Sequence, residues 1–292
     1  MKKEIRRLQL EDTHAVTHMQ TNIEDDYVRQ SFQDLVTGPN ILYGLFADNE
    51  LASIGGYSIY AEQLAMLGRL RSDVRFHGHG FATELMAYIR DTAFQNPNLN
   101  WIGANTQKQN KPTRRVLEKI GFTLNTSVYG ALTYDLSRLD AHDKPWKQIH
   151  RIEHKRYWLE QTYLSGRSYF PYECYYLFPS VPGLFSDEVI AQWAFYENPE
   201  QTRYMIVKPD NKGQKFLQVS YPWHDVMSQT GLWETINQSQ RYLQTQQGED
   251  ILIWMDLDEQ AVNVLPEDHP FELPSPWILY GINRTDYNQT LI

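Results

Sequence analysis

Residues 70–86 hold the densest group of side chains able to do chemistry. Leu70, Arg71 and Ser72 close an apolar run that reads as a strand. Arg75, His77 and His79 follow, interleaved with Gly78 and Gly80, and Phe81-Ala82-Thr83 opens a segment with helical periodicity. The first turn of a helix carries backbone N–H groups without intrahelical partners and a partial positive charge. Small residues in front of it let an anion approach the backbone. The natural ligand of such a turn is a phosphate or diphosphate, with Arg75, His77 and His79 as additional donors. A plain tight turn would use the same two glycines, so the loop alone does not fix the ligand.

Other constellations are thinner. His14 and His18 have a spacing compatible with a metal, but no third ligand accompanies them. His77 and His79 likewise lack partners for a metal. Cys174 is flanked by aromatic residues and reads as packed rather than nucleophilic. Neither Cys-x-x-Cys nor Gly-x-Ser-x-Gly occurs. No metal site is expected.

The elements that would position the loop can be read on either side of it. Ile5–Leu8 is a short strand, and Asp12 caps a helix that buries Val16, Met19 and Ile23. A second helix spans about Tyr27–Val36. Ile41–Ala47 and Leu51–Ile59 form a hairpin, and Met66–Asp73 is a further strand. The helix from Phe81 carries Leu85, Ile89 and Ala93 inward. Trp101–Ala104 is a strand, and Pro112 opens a helix that stops at Gly121. Strands near Phe122–Val128 and Ala131–Leu136 close a mixed sheet with helices on both faces, complete near residue 138. The second half has expected strands at Arg203–Val207, Lys215–Val219, Ile251–Asp256 and Trp277–Ile282, with a helix over Leu232–Gln246. The expected division is a catalytic domain at 1–138, a linker passing into a helix (Ile149–Tyr163) at 139–165, and a second mixed α/β domain at 166–292.

The chain has 292 residues, enough for about two domains. A single cysteine excludes an intrachain disulfide and fits a reducing cytosol. No stretch approaches the length of a membrane span, and the basic start lacks the apolar core of a signal peptide. A cytoplasmic location is therefore expected, with no membrane partner. The net charge is −9, with residues 1–140 nearly balanced (15 basic, 16 acidic) and residues 141–292 acidic (12 basic, 20 acidic). That is the wrong field for general nucleic-acid binding. It serves solubility, and it would also tolerate a cationic partner.

The run His77-Gly78-His79-Gly80-Phe81-Ala82-Thr83-Glu84-Leu85-Met86 resembles the acetyl-CoA loop of the GCN5-related N-acetyltransferase (GNAT) family. Its signature is Gln/Arg-x-x-Gly-x-Gly/Ala, which Gly80 and Ala82 match; His77 stands where Gln or Arg is usual. Downstream, Asn110-Lys111-Pro112-Thr113-Arg114-Arg115-Val116-Leu117-Glu118-Lys119-Ile120-Gly121-Phe122 resembles the family's second helix and Gly-Phe turn. The resemblance covers about residues 1–138. It implies an α/β mixed-sheet fold and an acetyl-CoA-dependent N-acetyltransferase acting by direct amine attack. The implied cofactor-binding residues are Leu70, Arg71, Ser72, His77, Gly78, His79, Gly80, Phe81, Ala82, Thr83 and Asn110, with the pantetheine arm along Leu70–Ser72. Lys111, Arg114 and Arg115 could meet its phosphates or simply form a solvated helix face.

The resemblance leaves the catalytic residues unassigned. Many members use a Tyr where this chain has Leu117. Glu24, Asp25 and Asp26 could attract an amine, and Tyr129 could lie near the sulfur. The acceptor is expected to be an amine on a small molecule or peptide. A donor with a longer acyl chain, or a non-catalytic acyl-CoA-binding module, would use the same scaffold. The second half would be a degenerate GNAT repeat without a Gly-x-Gly loop. Its aromatic and acidic content would suit a substrate-cleft wall or a homodimer face.

Overall fold

A computed structural model describes residues 1–139 and 143–289. In chain order, the first half contains β1 (Lys3–Arg7), α1 (Thr13–His18), α2 (Tyr27–Gln30), α3 (Phe32–Thr37), β2 (Ile41–Ala47), β3 (Glu50–Tyr60), β4 (Leu64–Ser72), α4 (Phe81–Phe94), β5 (Trp101–Gln107), α5 (Lys111–Lys119) and β6 (Thr123–Thr133). The second contains β7 (Lys147–Ile149), α6 (Ile152–Leu159), β8 (Tyr169–Glu173), β9 (Tyr176–Pro179), α7 (Asp187–Ala191), β10 (Ala194–Glu197), β11 (Tyr204–Asn211), β12 (Lys215–Ser220), α8 (Leu232–Gln247), β13 (Leu252–Leu257), α9 (Glu259–Asn263), β14 (Trp277–Asn283) and α10 (Arg284–Gln289).

Two compact units emerge: residues 1–125 with 279–292, and residues 126–278. This division differs from boundaries at 138 and 166, because the strand that ends each half is built into the sheet of the other. The first unit's sheet has the order β1-β2-β3-β4-β5-β14, and the second β7-β10-β11-β12-β13-β6. The two orders match in direction. β1 through β4 are antiparallel neighbours and β4 is parallel to β5. Likewise β7, β10, β11 and β12 are antiparallel neighbours and β12 is parallel to β13. The first five strands of the two sheets thus share one order and one set of directions. The expected strands near 122–128 and 131–136 are one continuous strand, β6, which pairs with β13.

In the first unit, Leu85, Met86 and Ile89 of α4 are buried against the sheet, where Gly55 of β3 leaves room for their side chains. Leu8, Val16, Met19, Phe32 and Ile54 form a second cluster under the short helices. The expected helix over Tyr27–Val36 breaks at Ser31 into α2 and α3. β14 is anchored by its neighbours. The Arg284 guanidinium donates to the carbonyls of Leu99 (2.7 Å), Phe94 (2.9 Å) and Asn96. Tyr287 of α10 donates to Asp91 at 2.9 Å and stacks on Phe94.

The second unit's core is packed between its sheet and α8, around Met205, Val219, Leu232, Ile236, Ile253 and Met255. The expected helix over 149–163 is shorter: Lys147–Ile149 is the edge strand β7, and α6 ends in a π-helical turn at Glu160–Leu164.

Candidate active site

The loop from β4 to α4 is open at its glycines. Gly78 and Gly80 have φ of +84° and +78°, the left-handed region that L side chains avoid. A Cβ at either would meet nothing within 4 Å. The glycines are therefore required by backbone conformation, and the space in front of them is free. Gly80 is the N-cap of α4. Among the described residues, the N–H groups of Gly78, Gly80, Phe81, Ala82 and Thr83 have no hydrogen-bond acceptor. Five donors around a helix N-terminus without blocking side chains fit a diphosphate.

Beside the loop, the sheet opens. β4 pairs with β5 only over Leu64–Leu67 against Trp101–Ala104, and then continues through Gly68–Ser72 without that neighbour. A β-bulge lies where the strands part: the β3–β4 register shifts between Ile54 and Gly56, opposite Arg71 and Gly68. Arg69 within it has φ +60°. Its guanidinium donates to Asn40 Oδ1 at 2.6 Å and Ser58 Oγ at 3.2 Å, which holds this uncommon backbone in place.

The predicted binding residues fall into two groups. His77, Gly78, His79, Gly80, Phe81, Ala82 and Thr83 form the loop and first helical turn. His77 is exposed, whereas the His79 ring stacks on Phe81 with centroids 5.3 Å apart. Leu70, Arg71 and Ser72 lie on the free stretch of β4. The Arg71 side chain is already engaged. It donates to Asp26 Oδ1 at 2.8 Å and lies over the Tyr27 ring. Ser72 Oγ meets Ser53 Oγ at 3.1 Å. Asn110 caps α5, its side chain accepting from the Thr113 N–H at 3.3 Å.

Several expected roles are not what the side chains do. Arg75, expected to add charge toward an anion, holds Asp73 through two hydrogen bonds of 2.9 Å and reaches Glu50 at 2.6 Å. Burial acts to raise the Asp73 carboxyl, but Arg75 and the amides of Gln20 and Arg75 outweigh it and hold it below the usual range. Asp26, expected to draw an amine, is buried, caps α2 and pairs with Arg71. Tyr129 belongs to the second unit, opposite Leu257 on β13. His14 and His18 stack on each other at 4.0 Å. Cys174 is fully buried, and burial pushes its thiol up.

Leu117, where the family often has Tyr, is buried and has no proton to give. A phenol arrives at the same helix from the far end of the chain. Tyr280 on β14 donates to Glu118 at 2.9 Å and accepts from Arg114 at 3.1 Å. Sequence reading missed it because its partners lie more than 160 positions away and no local pattern links them. Lys111 and Arg115 remain exposed on α5.

The second unit has a counterpart of the α4 start that cannot work the same way. Gly231 caps α8 with φ +81°. A Cβ there would sit 2.2 Å from the Lys144 carbonyl oxygen and 3.2 Å from the Trp146 ring. Trp146 also donates to the Thr230 carbonyl at 2.8 Å and to Thr235 Oγ1 at 2.7 Å. This helix N-terminus is therefore plugged. β12 and β13 stay paired through Ser220 and Asp256, so these strands do not part as β4 and β5 do.

Residues 4–123 match the family model described as the acetyltransferase (GNAT) domain. Solved structures with the same fold span nearly the whole chain. A candidate acetyltransferase from Thermoplasma acidophilum is 13% identical, with 96% of this chain and 99% of that one covered at a TM-score of 0.57. A GCN5-related N-acetyltransferase from Sphaerobacter thermophilus is 11% identical, with 96% and 95% covered at 0.57. A candidate acetyltransferase from Pyrococcus horikoshii is 10% identical, with 97% and 90% covered at 0.53. No curated protein matches the chain by sequence.

By its family description, the segment 4–123 is thus a GNAT acetyltransferase domain. Among the described residues, no helix is long and apolar enough to cross a membrane.

Proposed function

We propose that the first unit binds acetyl-CoA with its diphosphate on the amides of Gly78, Gly80, Phe81, Ala82 and Thr83, and acetylates an amine by direct attack. The observation that carries this reading is the open, two-glycine N-terminus of α4 beside the stretch of β4 that has left β5. Exposed Lys111 and Arg115 add positive charge for phosphates, and Asn110 keeps its amide N–H groups while its oxygen caps α5. The free backbone of Gly68–Ser72 takes the pantetheine arm and offers an N–H to the thioester carbonyl, where negative charge develops.

When bound, acetyl-CoA supplies an activated acetyl group. The chain's part is to hold that group and the amine within reach, without a covalent acyl-enzyme. An aliphatic amine has a pKa near ~10, so a base or water chain must take its proton. Leu117 cannot protonate the departing sulfur, so the thiolate leaves with help from solvent. The second unit is a degenerate GNAT repeat in this reading, since Trp146 and Lys144 occupy the place of the diphosphate.

Calorimetric titration with coenzyme A and acetyl-CoA, followed by thiol detection over a panel of small-molecule and peptide amines, tests the reading. Binding with amine-dependent thiol release supports it. Binding without release across the panel would make the chain an acyl-CoA-binding module, and indifference to coenzyme A would end the proposal.

A further inference from the structure

The second unit contains a cavity of about 310 Å³ at the C-terminal ends of the parallel strands β12 and β13. In open α/β sheets this end of the strands is where crevices for ligands form. The volume lies at the lower limit of small-molecule sites and suits roughly ten non-hydrogen atoms. All the lining residues belong to the second unit.

The lining has a consistent chemistry. Tyr163, Tyr169, Tyr221 and Trp223 supply ring surface. Asp256 and Asp258 supply carboxylates, and the lining includes neither Lys nor Arg. His224 is the one basic side chain there, and it is taken up by Asp258 at 2.9 Å. Asp256 is left with neutral partners. Oδ1 accepts from the Trp254 indole at 2.9 Å and Oδ2 from the Gln218 amide at 3.0 Å. Each carboxylate oxygen can accept a second hydrogen bond, so capacity for two more donors remains.

The ammonium of Lys208 acts on Asp256 through its charge but does not contact it. That group donates to the Tyr172 carbonyl and lies 4.3 Å from the centre of the Trp193 ring, and no ion pair with Asp256 is present among the described residues. A carboxylate in a cavity lined by aromatic rings, with no ion-paired partner among the described residues, is most stable opposite a cation that can also sit against those rings.

We infer that this cavity binds a small organic cation, an alkyl- or arylalkyl-ammonium, with its nitrogen on Asp256 and its apolar body against the Tyr and Trp rings. The inference concerns a site in the second unit and does not depend on where acetyl-CoA binds.

The test uses the full chain and three probes of nearly equal shape: phenethylamine, 2-phenylethanol and 3-phenylpropionate. Binding is followed by ligand-observed NMR and calorimetry. Phenethylamine should bind at least about tenfold more tightly than the alcohol, equal to ~1.4 kcal/mol, and the acid should be excluded. Asp256→Asn should remove the preference for the amine. Should that buried substitution fail to fold, Ser127→Arg gives the same answer from an exposed position on β6 at the cavity wall. It should weaken the amine and admit the acid. Coenzyme A affinity should stay at the wild-type value in both variants, which separates loss of this site from loss of the fold. Equal binding of the three probes, no binding of the amine, or an amine preference that survives both substitutions would overturn the inference.

Discussion

Gly80 and Gly231 allow a matched experiment, because they cap equivalent helices with nearly equal φ, +78° and +81°. Replacing either by Ala puts an L residue in the left-handed region, at a cost of ~1–2 kcal/mol. Stiffening of the unfolded chain offsets about 0.4–1 kcal/mol of that. At Gly80 nothing lies within 4 Å of the new methyl, so the net loss should be about 0–1.6 kcal/mol. At Gly231 the methyl would lie 2.2 Å from the Lys144 carbonyl oxygen, a backbone atom that cannot swing aside. Overpacking of that kind adds ~1–3 kcal/mol.

Function should rank the two the other way. G80A puts a methyl over the proposed anion cradle and turns its amides. Loss of one hydrogen bond to a charged group costs about 1.5–3 kcal/mol, or ~10–100-fold in coenzyme A affinity. G231A should leave that affinity unchanged. Thermal melts read the first comparison, at about 2–4 °C per kcal/mol for units of this size. Calorimetry with coenzyme A reads the second. If G80A binds coenzyme A as tightly as wild type, or if G231A is the milder change in stability, the argument built on the open loop is wrong.

Other outcomes follow from the same geometry. Asp26→Ala would strand the Arg71 guanidinium and remove the α2 cap, costing ~3–5 kcal/mol, visible as an early urea transition. Tyr280→Phe removes the hydroxyl between Arg114 and Glu118 and should cost about 1 kcal/mol with little change in coenzyme A affinity. A large fall in transfer rate instead would give that phenol a direct part in the chemistry. Burial pushes the Asp256 carboxyl up to about 6, against the pull of its Trp254 and Gln218 hydrogen bonds. A carboxyl raised in the folded state stabilises fully below its unfolded pKa near ~4, and loses that contribution as pH rises through about 6. Wild-type stability should therefore fall by ~2–3 kcal/mol relative to Asp256→Asn between pH 4 and pH 7. Parallel urea midpoints over that range would contradict the assignment.

What sequence could supply was local. The β4–loop–α4 unit was legible because glycine spacing, strand pattern and helix periodicity all sit within twenty residues. The stop of α5 at Gly121, with φ +84°, was legible for the same reason, whereas the capping of that helix by Asn110 emerged only in the structure. The side-chain partners were not. Asp26 looks like a free charge in the sequence, yet its counter-ion Arg71, 45 positions on, completes it only in the fold, as Glu50 does for Arg75. The largest miss was where β6 and β14 go. An apolar, alternating strand announces that it will be paired, and nothing in its composition says with which sheet. Gly231 was also overlooked, since a single glycine before a helix gives no sign of its φ or of the tryptophan packed over it.

The crossing of these two strands has a consequence for how the molecule is made. During synthesis the strands up to β5 emerge with the β5 edge uncapped, and the strand that seals it follows only after the residues of the second unit. Until then that edge is a template for wrong pairing. Completion of the first unit is thereby tied to synthesis of the second, so a product truncated before β14 would carry the β4–α4 loop without the strand that closes its sheet.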